Sequence, residues 1–197
     1  MSSLKMRYRR ISSAGKEDSV KTGKLPENIL KRAVFRQLDM KREDVLSQTG
    51  VGVDSAILKA EPDEIVVFSS DPVIWQDDSY DGKRVVFSVC NDLACTGARP
   101  AGLLLTALLP VDIQEIQIRT MVKKIAEECE PMGIQILGGH TEITPAVNRP
   151  VISVTGVGKT KEQKLIPSGG AKAGDDILVT KWIGLEGTSV AAKEKEE

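Results

Sequence analysis

Histidine is nearly missing from this chain of 197 residues, and aromatic side chains make up only 4% of it. With His140 alone, a zinc centre built on imidazoles is a poor bet. The shortage of aromatics removes the stacking platforms that nucleic acids use, and no nucleic-acid motif is present. Cysteine is also scarce. Cys90, Cys95 and Cys129 form no Cys-x-x-Cys pair, and the odd count suits a reducing compartment. Cys90 and Cys129 read as small apolar residues packed within helices. No apolar run is long enough to cross a bilayer, and the opening MSSLKMRYRR lacks the apolar core of a signal peptide. The expectation is a cytoplasmic protein that binds neither membrane nor nucleic acid.

What is present is aliphatic. The length allows a proper core in one domain, or in one domain plus a fragment. A net charge of −1 conceals an asymmetry, because residues 1–42 hold 12 Lys/Arg against 4 Asp/Glu, a local +8. Such an arm is usually a solvated tail, although it could touch phosphates.

Residues 1–23 are polar and read as a mobile segment. Pro26 opens a helix with Ile29, Leu30, Ala33, Val34 and Leu38 on its apolar face. Thr49–Ala60 turns through Gly50 and Gly52 into a strand at Ala56–Lys59. A second strand, Glu64–Ser70, closes at Asp71 and Pro72. A helix from about Gly82 to Thr96 is stopped by Gly97 and Pro100. Ala101–Leu109 is a continuous apolar run, as in a strand covered on both faces. Asp112 is placed as the cap of a helix to about Glu130, with Ile113, Ile116, Met121, Val122, Ile125 and Cys129 facing inward. Ile134–Leu137 forms a short strand that runs into a Gly138-Gly139 turn. Val151–Val157 and Asp176–Thr180 read as further strands. Alternating strands and helices indicate an α/β or α+β domain.

Several acidic and glycine positions sit at element ends, where functional residues gather. Asp54 follows Gly50-Val51-Gly52, and Asp71 closes a strand. Asp92 shares one side of its helix with Val85 and Val89, so its charge is expensive to bury unless paired. An amide or Arg partner would serve, as would a metal ion; alternatively Asp92 lies at the rim of the apolar stripe and stays wet. His140 and Glu142 follow the paired glycines. These oxygen donors suit Mg²⁺, and paired glycines let backbone N–H groups approach phosphate. Lys24, like Lys16 and Lys21, could reach a γ-phosphate, though surface lysine is the default for each. Ser153–Thr160 imitates a P-loop but has serine where the first glycine belongs, so it reads as a strand followed by an exposed turn.

In order, GVGVDSAIL, SSDP, NDLACTGARP, GGHTE and SGGAKAGDDILVT resemble the superfamily of aminoimidazole ribonucleotide (AIR) synthetase, thiamine-monophosphate kinase, selenophosphate synthetase and the hydrogenase-maturation protein HypE. The resemblance runs from about Gly23 to the C-terminus, and NDLA-x-x-GARP before an apolar strand is its most specific element. It implies an AIR synthase N-terminal-like domain at residues 24–165, with residues 166–197 beginning a second domain. The fold implied is a mixed β-sheet flanked by helices, with sheets pairing into a barrel across a homodimer. The cofactors implied are ATP and Mg²⁺. By motif, Asp54, Asp71 and Asp92 would be the metal carboxylates. Gly138 and Gly139 would form the phosphate-approach turn, and Asn91, His140, Thr141 and Lys24 would be further nucleotide contacts.

Three departures stand out. His140 replaces the usual Asp after Gly-Gly, making Glu142 a substitute metal ligand. Val53 replaces a second Asp, and the second domain is only begun. Two readings follow. One is the Mg-ATP-binding domain of an ATP-dependent enzyme that phosphorylates a small substrate or activates a carbonyl oxygen. The other is a catalytically inactive dimerisation or scaffold module of the same fold.

Overall fold

The structure is a computed structural model that describes residues 22–47, 50–51, 55–167, 169, 171–179, 181–185, 187–188 and 191–192. Asp54, Lys16, Lys21 and nearly all of the segment read as mobile lie outside the described residues. The chain divides into two compact units, Met1–Ile166 and Pro167–Glu197.

The first unit is built on a five-stranded mixed sheet in the order β1-β4-β3-β5-β2. Its strands are β1 (Gly23–Lys24), β2 (Glu64–Ile74), β3 (Arg99–Leu109), β4 (Gln135–Ile143) and β5 (Val151–Lys161). Among the described residues only β3 and β4 pair in parallel, and α3 (Glu115–Cys129) connects them, as a parallel pair requires. Between β2 and β3 runs α2 (Asp81–Cys95), and α1 (Glu27–Ile29) opens a helical stretch that continues to Gln37. Among the described residues no helix is long and apolar enough to cross a membrane.

One face of the sheet carries the helices. α2 buries Val85, Val86, Val89, Cys90 and Leu93, and α3 buries Ile118, Met121, Ile125 and Cys129. Full burial of each large aliphatic side chain contributes about 1.5–3 kcal/mol. Gly156 and Gly158 of β5 let α2 sit down on the sheet. A Cβ on Gly156 would lie 2.9 Å from Val89 Cβ, and one on Gly158 would lie 3.2 Å from Leu93 Cδ2. The P-loop imitation is therefore uninterrupted strand, and β5 continues to Lys161 instead of ending in an exposed turn.

Several sequence expectations are corrected here. β2 does not stop at Ser70; it passes through Asp71-Pro72 to Ile74. It can do so because it is an edge strand, where a missing proline N–H leaves no neighbour unpaired. β4 likewise runs through Gly138-Gly139-His140-Thr141-Glu142 to Ile143, so the double glycine lies inside a strand, directly after a bulge at Leu137, and is not a turn. α3 starts three residues after Asp112; its cap is Gln114, in a reciprocal capping box with Gln117. Ile116 is exposed, and Ile118 takes the inward place.

The Ala56–Lys59 strand reduces to an isolated Val45–Leu58 bridge. Residues 176–179 form no strand among those described, since no ladder partner pairs with them. The continuous apolar run of β3 is buried at Leu103 and Leu109 but half-exposed at Leu104 and Leu108, so its second face is not covered within this chain.

A bidentate pair ties the helical stretch to α3. Arg32 Nε donates to Glu115 Oε1 at 3.0 Å and Nη2 to Oε2 at 2.7 Å, which holds the Glu115 carboxyl below its usual range. Arg32→Ala is expected to lower Tm only slightly, as fits a half-exposed pair.

Candidate functional site

Side chains alternate along β2. Val66, Phe68, Ser70, Pro72 and Ile74 are exposed, whereas Ile65, Val67, Ser69, Asp71 and Val73 turn toward the helices and are partly or fully buried. Ser69 faces Gly156 across the ladder, and Val89 lies over that glycine. Asp92 is the next turn of α2 beyond Val89, and Ser69 Oγ–H donates to its Oδ2 at 2.6 Å. Asp71 is two residues along β2 on the same side, about 6.5–7 Å further by strand rise. Ser69 thus links Asp92 of α2 to β2, and Asp71 lies further along that strand on the same face.

Asp92 is not on the buried stripe. The stripe is centred on Val86, Val89 and Leu93, and Asp92 falls just outside it, exposed. This matches the hydrated-rim alternative, with a serine as its partner rather than an amide or Arg. Asn91 is also exposed on α2, one residue round from Asp92. Asp92 and Asp71 supply hard oxygen donors on a wet rim. That set fits a cation which keeps waters and shares phosphate oxygens, as Mg²⁺ does, better than a closed protein cage. Among the described residues no three His, Cys, Asp or Glu side chains form a complete metal cluster.

The second group lies around β4. Gly138 and Gly139 have φ of +151° and +139°, and a Cβ on Gly139 would fall 1.8 Å from the Leu105 carbonyl oxygen of β3. Only glycine fits there. His140 and Glu142 share a face, with Nε2 and Oε2 3.3 Å apart, and Lys24 pairs with Glu142 across the ladder. Thr141 turns the other way, and its carbonyl accepts from Leu25 N at 3.2 Å. Lys24, Gly138, Gly139, His140 and Thr141 border one cavity of about 530 Å³, whose body is formed by Leu30, Val34, Phe35, Met121, Ile125 and Ile136. An apolar pocket of this size with a polar rim is typical of small-ligand sites.

The two groups do not meet within the chain. Asp71 and Gly139 occupy one level of the sheet, but β5 and β3 lie between them, a separation of about 14 Å at three strand spacings. Glu142 is further displaced, on the opposite face. Within one chain, strand pairing therefore holds Glu142 apart from Asp71 and Asp92.

Sequence reading missed a network that holds the ends of the segment carrying Asp54. Arg42 Nε and Nη2 donate to the two Asp44 carboxylate oxygens at 2.8 and 3.0 Å, and Lys159 Nζ donates to Asp44 Oδ2 at 2.9 Å. Lys159 also donates to the Lys59 carbonyl, and Leu46 N to Ile57 O at 2.8 Å. The guanidinium and ammonium together hold the Asp44 carboxyl far below the usual carboxylate range. The only hint in the sequence was Lys159 in the P-loop imitation, where it had been set aside. Asp81, fully buried at the start of α2, was missed as well. It accepts from the backbone N–H groups of Gln76 and Asp78 and from Arg84.

This five-stranded mixed sheet with α2 and α3 packed on it is the fold of the N-terminal domain of AIR synthase-type proteins. The family model for AIR synthase related protein, N-terminal domain, matches residues 52–160, and the chain belongs to that family. Carbamoyl dehydratase HypE of Rhodobacter capsulatus is 27% identical over 139 residues, covering 68% of this chain and 41% of that protein. The structure of thiamine-monophosphate kinase from Stenotrophomonas maltophilia K279a superposes with a TM-score of 0.66 at 26% identity, over 79% of this chain and 49% of that one. A hydrogenase maturation protein HypE solved in complex with ATP shares the fold, with a TM-score of 0.61 at 21% identity over 75% of this chain and 43% of that one. The chain thus spans about half or less of the length of these relatives.

Proposed function

We propose that this chain is the Mg-ATP-binding domain of a HypE-like or AIR synthase-related enzyme, acting in the cytoplasm on a small-molecule or protein-bound substrate. The observation that carries the reading is the bond from Ser69 of β2 to Asp92 of α2, with Asp71 two residues further along the same face of β2. Family membership and the ATP complex of a protein with the same fold support it. In this reading the carboxylates hold Mg²⁺, and the cation supplies neutralisation of charge developing on a transferred phosphoryl group. The chain's own residues would position and screen. Lys24 places a cation at the rim of the cavity, and Gly139 keeps the β4 backbone free of side-chain bulk beside it.

Calorimetric titration tests the reading directly. Mg·ATP is expected to bind the folded chain, and Asp92→Ala is expected to weaken the Mg²⁺-dependent part of that binding by tenfold or more, about 1.4 kcal/mol. No binding by the folded protein, or binding untouched by Asp92→Ala, would sink it and favour the scaffold alternative.

We further infer a homodimer formed through the sheet face opposite α2 and α3. Phe68 is 66% exposed and Ile74 55% exposed there, beside half-covered Leu104 and Leu108. An apolar face of this extent is what an interface buries. Light scattering at micromolar concentration should give twice the chain mass, and Phe68→Glu should return it to the monomer value. A parent protein already monomeric would remove this inference.

A further inference from the structure

We propose that Ser69 is a positioning residue for the cation, acting through Asp92 and not on the nucleotide itself; this rests on the Asp71–Asp92 reading given above. The two serines of Ser69-Ser70-Asp71 point to opposite faces of β2. Ser70 Oγ lies 3.0 Å from Thr155 Oγ1 and 3.2 Å from the Val154 carbonyl, both on the neighbouring strand. Ser69 instead reaches across to α2, and its hydroxyl proton goes to Asp92 Oδ2 at 2.6 Å, a length typical of a hydrogen bond to an ionised acceptor. That bond occupies one lone pair of Oδ2 and holds the rotamer of an otherwise exposed carboxylate, whose Oδ1 would meet the cation.

The arrangement follows from packing. Gly156 lets α2 approach β5, and Ser69 is the residue paired with Gly156, so its short side chain spans the remaining gap. Outer-shell donors of this kind typically change metal affinity by about 10–100-fold when removed.

The test uses Mn²⁺·ATP, followed by the Mn²⁺ paramagnetic signal, on the 197-residue chain carrying Ser69→Ala, Ser69→Thr or Ser69→Val. Thr keeps the hydroxyl and Val is its isostere without one, and both branched side chains suit a strand. Thr is expected to bind Mn²⁺·ATP close to the parent value, whereas Val and Ala are expected to bind about 10–100-fold more weakly. ATP binding in excess chelator should be unchanged in all three. On an Asp92→Asn background, Ser69→Ala should cause no further loss, because the serine acts through the carboxylate it no longer faces.

Equal affinity of the Thr and Val proteins overturns the proposal, as does an additive loss on the Asp92→Asn background. If the parent itself shows no Mn²⁺-dependent binding, the cation-site reading fails and takes this inference with it. If the parent binds and Ser69 proves indifferent, only this inference fails.

Discussion

Gly139→Ala is expected to cost about 3 kcal/mol or more of folding stability, at the severe end of single substitutions. The added methyl group would sit 1.8 Å from the Leu105 carbonyl oxygen and 2.5 and 2.7 Å from two further backbone atoms of that residue. A clash with a flexible side chain could relax. This one is with the central strand β3, which is paired on both sides and cannot move without breaking ladders to β4 and β5. The backbone at φ +139° adds its own strain for a residue with a Cβ. Gly138→Ala is the internal control. Its φ is +151°, but nothing lies within 4 Å of its Cβ position, so only the conformational cost of about 1–3 kcal/mol applies, without the clash. Urea unfolding of the two variants should separate them clearly. A Gly139→Ala protein within about 1 kcal/mol of the parent would mean that β4 does not approach β3 in this way.

That glycine also shows where the sequence stops being readable. A double glycine after an apolar run has the local signature of a turn, and only the pairing of Leu104 with Gly138 and Leu105 with Gly139 makes it part of a continuing strand. Pro72 misleads in the same way, since nothing within its own neighbourhood says that β2 is an edge. The helices were far more legible. Their periodicity lies inside a single stretch, and α2 and α3 appear within a few residues of where the apolar spacing puts them.

The candidate site was legible as a set of residue types but not as a geometry. Asp92 falls outside the buried arc of α2 because that arc is set by where the helix meets Gly156 and Gly158, which lie in a strand much later in the chain. Ser69 carried no signal beyond its place beside Asp71. The separation of Glu142 from the acidic edge follows from strand order, a property of the whole sheet. The family resemblance supplied the likeness of motifs; the register supplied which of them can act together.

The second large effect is electrostatic. Asp44→Asn is expected to lower stability at pH 7 by about 2 kcal/mol, because it removes the acceptor shared by Arg42 and Lys159. Lys159 is only 10% exposed, so its ammonium loses much of its compensation, with Glu64 at 3.6 Å the nearest remaining carboxylate. The deficit must depend on pH with a definite sign. In the folded protein the Asp44 carboxyl lies well below the ordinary carboxylate value, chiefly through its hydrogen bonds to Arg42. A group depressed on folding stabilises above its unfolded value, about 3.9, and loses that contribution as pH falls toward the folded one. Parent and Asp44→Asn should therefore differ by a constant amount from pH 7 to about pH 5 and then converge as the solution is acidified below pH 4. Glu115 and Asp63 are also depressed by their basic partners, so the parent's acid profile alone cannot isolate Asp44; the difference between the two proteins can. Unfolding curves at pH 7, 5 and 3 measure it. A gap that stays constant down to pH 3 would show that Asp44 is not held ionised by Arg42 and Lys159. The clamp that keeps residues 44–47 against 57–59, and so holds the ends of the segment bearing Asp54, would then have to rest on its backbone bonds alone.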